Sequence, residues 1–582
     1  MKHIGAVSCM VVFASCAALS VAGVSLEEGF ANPPDSAKPQ TFYFLMNGNV
    51  TKEGITYDLE AIKAAGLGGI HVFDVGCSLP VGPLKWGSPE WFDMLRHMNE
   101  EAKRLGLELG FHICSGWSAF GGPWNTARDA MKETVWTETA FKGPGRFAAV
   151  LPRTEDDNGF YEDIAVIAYP TPAAGAGLSS LRAKTGFERS LTLKRDFKTL
   201  PDDQIVKKKD IVDLTAKMSK DGRLEWDAPA GDWTILRIGY RCTGRENVMP
   251  TAGGAGLEVD KYSVEAVDRS FDAHIAKICA ALGIEKGSSP AASGTGLTTI
   301  HVDSYEAKRQ NWTEGLEKTF EARFGYSIIP YLPVFAGRVV GSTVESERVL
   351  EDFRRLLADM FAENYMGRIV QRCHEYGLLV SLEPYGWSNG DDLQYGQDVD
   401  VPFSEFWGTA GAGAHGLGGS ENARHAASLA HVWGRRYVGA EAFTSGPPRF
   451  GRWLGTPFGM KSQGDQVYAD GVNRIVYHRF THQPWPGDKY VPGFTMGRWG
   501  THLDRTQTWW RHAPAWFAYQ SRCQWMLQEG RNVADALCWT GEDAPSDCKI
   551  SAPLPPGWNY DTCATRAVER LTVKDEIGRA HV

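Results

Sequence analysis

Absences narrow the field first. The chain has no sustained run of basic residues and a net charge of −9, so a nucleic-acid backbone finds no cationic surface and that class of partner is excluded. Of 11 cysteines, Cys9 and Cys16 fall in the first 22 residues and the other nine form no CxxC pair. Neither a zinc-site spacing nor a disulfide framework is present, and a chain of 582 residues buries enough apolar surface to fold without staples. No HExxH or GxxxxGK[ST] occurs, which removes the zincin and P-loop chemistries. Gly386-Trp387-Ser388-Asn389-Gly390 matches GxSxG by letter, but the polar pair Asp391-Asp392 follows where a nucleophile elbow needs a helix packed behind it. Gly411 to Gly416 matches GxGxxG in a loop of small residues, several positions past its strand. Both are chance matches in a glycine-rich chain.

What is abundant is more useful. There are 20 Trp, 19 Tyr and 64 Gly, the side chains that stack on sugar rings and the residue that lets backbone approach a ligand. The first 22 residues read as a secretory signal: Lys2 and His3, an apolar stretch from Ile4 to Leu19, then the small residues Ser20-Val21-Ala22. Export to the periplasm or exterior follows as an expectation. A lipoprotein site at Cys16 is the lesser alternative, because Phe13 is a poor residue three positions before it. Past the signal no apolar run is long enough for an integral membrane span. Ile577 to Val582 reads as a non-native tail, and the residues before it as the opening of a C-terminal unit that is cut short.

Between these ends the pattern alternates strand and helix. Expected strands cover 41–46, 68–75 and 108–114, with helices over 51–65 and 90–105 between them; Ser88 and Pro89 mark the start of the second helix. From 131 to 290 the rhythm changes to alternating, turn-rich β segments such as ETVWTETAF and RLEWDAPAGDWTILRIGYRC, read as an inserted β-sandwich-like domain. One amphipathic helix over 263–282 returns the chain. Five more strands follow at 298–303, 378–383, 399–406, 436–443 and 474–478. The sum is a (β/α)8 barrel: strands 1–3 within 30–130, strands 4–8 within 291–530, and a truncated α/β unit at 531–576.

Four consecutive strands of this barrel end in acids. TTIHVDSYE carries Asp303 and Glu306, LLVSLEPYG carries Glu383, VPFSEFW carries Glu405 and YVGAEAFTS carries Glu441. Strand-end acids of a barrel converge on one face, and two carboxylic acids are what glycoside hydrolysis requires: one to protonate the leaving oxygen, one to activate water or attack the anomeric carbon. The surplus acids suit sugar hydroxyls or a hard cation such as Ca2+. Trp117, Trp387 and Trp407 follow strands 3, 5 and 6 as sugar platforms, and His112 and His482 lie where they can bind hydroxyls. His478 reads as a structural histidine, and Glu258 and Asp260 as solvated acids ahead of the fourth strand. An oligo- or polysaccharide is the expected partner.

The stretch FANPPDSAKPQTFYFLMNGNVTKEGITYDLEAIKAAGLGGI resembles the opening of glycoside hydrolase family 106, the α-L-rhamnosidases. The resemblance continues in HVDSYEAKRQNWT, FGYSIIPYLP, SLEPYG, FSEFW and AEAFTS, from Phe30 to about Thr572. It implies a (β/α)8 barrel with β-rich accessory domains, and an inverting exo-enzyme that removes terminal α-L-rhamnose from plant or bacterial polysaccharides with the help of bound Ca2+. It places Glu306 and Glu441 in the catalytic acid/base pair and Glu405 as base or calcium ligand. Glu383 falls to a sugar or calcium contact and Asp303 to the substrate-binding set. An inverting pair stands roughly 6.5–9.5 Å apart, to admit a water. A barrel glycosidase of other sugar specificity and a non-catalytic carbohydrate-binding protein are the competing readings.

Overall fold

The structure, a computed structural model, describes residues 24–581 apart from 157, 176, 409–418, 446–452, 488, 498, 543, 551–552 and 574–579. The signal segment, the GxGxxG match and most of the C-terminal tail lie outside the described residues.

Eight parallel strands close a barrel. In chain order they are β1 (Gln40–Met46), β2 (Gly69–Val75) and β3 (Glu108–His112), then β8 (Gly296–Val302), β9 (Leu379–Leu382), β10 (Val401–Trp407), β11 (Gly439–Thr444) and β12 (Arg474–Thr481), with β1 pairing to β12. Every barrel strand expected from the sequence is present. The helices between them form where the capping residues put them. Thr51 accepts from Gly54 N to start Lys52–Ala65, and Gly66 stops it at φ 97°. Ser88 accepts from Trp91 N to start Pro89–Leu105. No helix among the described residues is long and apolar enough to cross a membrane.

The barrel lumen is packed rather than hollow. Phe42, Phe44, Phe73, Val75, Val401, Phe403 and Val476 form one buried cluster, with His71, His112 and His301 against it; His112 stacks on Phe73 at 4.6 Å. This apolar plug is the floor on which the strand-end acids stand.

The insertion after β3 differs from the expected sandwich. It is a single antiparallel sheet, in the order β4 (Lys132–Val150), β7 (Arg223–Cys242), β5 (Tyr161–Pro170), β6 (Val212–Asp213). The sequence imitates a sandwich because both faces of the sheet are buried. Ile167, Leu236 and Ile238 on one face join the main core. Val166, Ala168 and Ile235 on the other pack with Phe147 and Trp226 from the far half of the same ribbon, past a register shift at Gly143–Gly145. The return helix is two, Val264–Ala273 and Ile275–Ala281, broken at His274 (φ −127°, ψ −74°). Near the C-terminus, β13 (Ala536–Trp539) pairs in parallel with β14 (Tyr560–Cys563), and Asp561 and Arg566 tie this unit to His431 and Asp398 of the barrel.

Candidate active site

The acids converge at the C-terminal ends of β8 to β11. Glu405 and Glu441 are register partners on neighbouring parallel strands, so their side chains leave the sheet on the same side. Tyr385, two residues past Glu383, donates its hydroxyl to Glu383 Oε2 (2.5 Å) and lies 3.2 Å from Glu405 Oε2. Asp303 and Glu383 stand close enough to His301 that one ligand atom from each lies within 4.8 Å of the others. Glu441 accepts a short hydrogen bond from Thr444 Oγ1 and faces His478 Nδ1 at 3.2 Å. The turn that brings Thr444 back passes through Phe443 at φ 58°, left-handed backbone that a bulky residue adopts only when its surroundings hold it there. Phe443 is buried and stacked on Tyr477.

Glu306 differs from the other four: it stands exposed at the rim. Its Oε2 accepts from Trp117 Nε1 at 3.0 Å, and Ser304 Oγ lies 3.5 Å from Oε1. Trp407 donates to Glu405. Trp387, 62% exposed, stands on the same rim, its backbone N bonded to Tyr305 O.

No lysine or arginine pairs with any of these five acids among the described residues, and the electrostatics follow. Burial raises Asp303 and Glu405 to about 7. Burial and the neighbouring carboxylates hold Glu383 and Glu441 well above the ordinary range. Glu383 Oε1 is buried and meets no hydrogen-bond partner among the described residues. Partial desolvation at the rim also raises Glu306, against the Trp117 and Ser304 hydrogen bonds, which favour its charged form. His478 is held well below its ordinary range by burial and by Arg479 and His502, so it meets Glu441 as a neutral ring.

The arrangement separates the expected site residues. Asp303, Glu306, Glu383, Glu405, Glu441, Trp117, Trp387 and Trp407 share the mouth. His482 does not: it is fully buried, with Nδ1 2.9 Å from Asp58 Oδ2 and 2.7 Å from Tyr43 Oη, a structural linkage between β1 and its helix. His112 is buried in the lumen below the acids, Nδ1 against Cys114 O. His478, read as structural, stands on the site. Tyr385, Thr444 and Ser304 are the contributions that the sequence reading passed over. Each lies one to three residues from a named acid, and that proximity was the available signal. Glu258 and Asp260 are not solvated: both are buried and paired, with Lys261 (2.7 Å) and Lys132 (2.8 Å).

Among the described residues, His301, Asp303 and Glu383 lie close enough together that a metal ion could be held there. Asp303, Glu383, Glu405 and the Tyr385 hydroxyl offer the oxygen donors that a hard divalent ion takes. His301, although within reach, offers a nitrogen that such an ion does not favour, and its Nδ1 is engaged with Ser381 Oγ at 2.9 Å.

Comparison with known proteins agrees with the fold. The family profile described as alpha-L-rhamnosidase, glycoside hydrolase family 106, matches residues 31–579. A rhamnosidase from Novosphingobium sp. PP1Y has a similar structure, with a TM-score of 0.83 and 27% identity over 94% of this chain and 65% of that one. A Formosa agariphila protein provisionally named a beta-glucuronidase is 39% identical over 552 residues, 94% of this chain and 46% of its own length. This chain therefore spans about half of that relative and about two-thirds of the solved rhamnosidase. With a closed eight-strand barrel, acids at consecutive strand ends and a family match over nearly its whole length, the chain belongs to glycoside hydrolase family 106.

Proposed function

We propose that this protein is an exported, exo-acting, inverting glycoside hydrolase that releases terminal α-L-rhamnose from plant or bacterial oligo- and polysaccharides. The observation that carries the reading is the set of strand-end acids with no cation paired to them among the described residues, which keeps carboxyls protonated near neutral pH where an acid catalyst needs them. Glu441, buried and held well above the ordinary carboxylate range, holds the proton given to the leaving oxygen. Glu306 is exposed, hydrogen-bonded in its charged form and reached by water from the rim, and takes the proton from the attacking water. Glu405, Asp303 and Glu383 bind the sugar hydroxyls, and Trp117, Trp387 and Trp407 supply apolar surface. Ca2+, when bound, would neutralise charge on Asp303, Glu383 and Glu405, with Tyr385 holding two of those carboxylates in line.

The name of the Formosa relative raises a second reading, cleavage of a β-glucuronide. The floor argues against it: a uronate carboxylate seated among Asp303, Glu383, Glu405 and Glu441 meets no cation from the described chain. The test is release of sugar from an aryl α-L-rhamnoside and from an aryl β-glucuronide under calcium-replete conditions. Rhamnose release alone supports the proposal, and glucuronate release alone replaces it. Binding of rhamnosyl oligosaccharide with no release of either sugar would make the protein a carbohydrate-binding module.

A further inference from the structure

The barrel mouth has two halves of opposite character. The acids come from β8 to β11, four strands in a row around the barrel, and β12, β1, β2 and β3 complete the circle. On that second arc the lumen cluster ends in Met46 and Val75, the last residues of β1 and β2, and the partly exposed Cys77, Leu79, Trp117 and Phe494 pack on it from the loops beyond β2, β3 and β12. Both proposed catalytic glutamates stand at the seams between the arcs. Glu441 faces His478 of β12, whose ring centre lies 5.5 Å from that of Phe44 in the cluster. Glu306, beyond β8, accepts from Trp117, which packs on the cluster from beyond β3. A sugar ring held between these two glutamates has acids along one side and carbon and sulfur along the other.

The apolar arc has little left to offer a hydroxyl. Gly76 N donates to Met249 O at 2.9 Å, Leu79 O accepts from Asn47 Nδ2 at 2.5 Å, and Trp117 N donates to Val248 O at 3.3 Å. Phe494 N and O are both taken by the Gln483 side-chain amide, each at 2.9 Å. Burial raises the Cys77 thiol to about 11, against the pull of Arg479, so Cys77 presents a neutral and weakly polar S–H. The charges near the arc are committed elsewhere: Arg479 is buried and bonds Trp499 O and Thr481 Oγ1, and Asp74 accepts from Trp91 Nε1 at 3.0 Å. Cys77 and Ser78 hold consecutive left-handed conformations, φ 44° and 56°, which side-chain-bearing residues keep only where the surroundings fix them. Leu79 N closes that turn on Gly76 O at 3.1 Å. The loop therefore presents Cys77 and Leu79 in a set place.

We propose that Cys77, Leu79 and Phe494 form the specificity surface that receives the exocyclic carbon of the cleaved sugar and selects a methyl group there. The proposal rests on the rhamnosidase reading and assigns its sugar selectivity to residues outside the acids. L-Rhamnose differs from L-mannose only in lacking the hydroxyl on that carbon. The acids bind ring hydroxyls that both sugars share and do not tell the two apart. The apolar arc does: a methyl placed on it exchanges water for carbon, whereas a hydroxyl gives up water and finds the polar groups of these loops already bonded.

The test compares an aryl α-L-rhamnoside with the aryl α-L-mannoside, which adds a hydroxyl to the exocyclic carbon, and the aryl α-L-lyxoside, which lacks that carbon. For the wild-type chain kcat/KM should favour the rhamnoside over either by about tenfold to hundredfold, the range of one small group in an apolar pocket. Cys77→Ser and Phe494→Tyr each place a hydroxyl on the arc at almost unchanged shape and should narrow the rhamnoside-to-mannoside ratio severalfold. Leu79→Ala removes carbon from around the methyl and should narrow the rhamnoside-to-lyxoside ratio. Loss of folded enzyme lowers all three substrates alike, so these ratios report selectivity and not stability. A wild-type rhamnoside-to-mannoside ratio near one, or ratios unchanged in all three variants, overturns the proposal and leaves the rhamnosidase reading standing. Calorimetric binding of methyl α-L-rhamnoside and methyl α-L-mannoside separates the two in the other direction. Rhamnoside-selective binding that Cys77→Ser weakens upholds the surface even where no sugar is released, and equal binding overturns it even in an active rhamnosidase.

Discussion

Two sets of carboxylates in this protein are treated in opposite ways. On one side Glu258 and Asp260 are fully enclosed, and each is answered. Lys261 and Ser118 bond to Glu258, while Lys132, Gln310 and Thr313 bond to Asp260. On the other side Asp303, Glu383, Glu405 and Glu441 are gathered with hydroxyls, an indole and a neutral imidazole, and no lysine or arginine among the described residues pairs with them. Burying an ion pair is tolerable when every atom is satisfied, whereas burying like charges together forces protons onto them. The first set fastens the inserted sheet's return segment to the barrel. The second spends stability to keep carboxylic acids in working protonation states. The difference is therefore between charge used to hold and charge withheld for chemistry, and substitution should expose it.

The largest contrast is expected in activity. Glu441→Gln removes the proposed proton donor while preserving volume, so rhamnose release from a substrate with a poor leaving group should fall by about 10^3-fold with the thermal midpoint little changed. Retention of full activity would remove Glu441 from the acid role. Glu258→Gln should do the reverse. It strands the Lys261 ammonium in a closed site and should cost about 3 kcal/mol of stability in a denaturant titration, with kcat on the folded fraction unchanged. A loss of kcat at full stability would mean that the two sets are not separate.

The pH dependence of stability sharpens the contrast further. Glu405 and Asp303 have folded-state values of about 7, above those of the unfolded chain. The folded protein thus binds more protons between about pH 4 and 7. The stability tied to those protons is fully present below about pH 4 and is lost as pH rises through 7. Glu405→Gln, which cannot ionise, should therefore be more stable than wild type at pH 8 by about 1–2 kcal/mol in calcium-free buffer and equal to it near pH 4. A gain that does not depend on pH would point to packing instead. Added Ca2+ should stabilise the wild type at pH 8 and the variant less, because the variant has lost one of the oxygen anions offered to the ion.

How much of this was legible beforehand follows from what each signal depends on. The eight strands were readable because a parallel strand buried on both faces is written as a short apolar run, and Gly66, Ser88 and Pro89 punctuate the helices locally. The acids at the strand ends were readable for the same reason. Whether an acid is paired was not readable, since Lys132 and Asp260 are far apart in the chain and meet only through the insertion. Solvated and salt-bridged acids look alike in sequence, so Glu258 and Asp260 were misplaced. The sandwich expectation failed on a related ambiguity: alternation in Ile235–Ile238 reports two buried faces without saying what covers them. His482 lay at the right strand end, but its partner Asp58 sits on the first helix, and that contact turns the ring away from the mouth.

The smallest predicted effect decides the assignment of roles. Trp117 Nε1 donates to Glu306 at 3.0 Å and favours its carboxylate form. Trp117→Phe keeps an aromatic surface and deletes that donor, so the Glu306 pKa should rise. One hydrogen bond to a charged group, partly replaced by water at an exposed rim, amounts to about half a pH unit to one unit. If Glu306 is the base, it must be ionised to work, and the acidic limb of the kcat/KM profile should move up by that amount while the basic limb stays. If Glu306 instead donates the proton, the basic limb moves up and the acidic limb stays. The first outcome leaves Glu441 as the acid, in keeping with its deeper burial among uncompensated carboxylates. The second exchanges the two roles and would mean that the exposed glutamate, not the enclosed one, meets the departing oxygen.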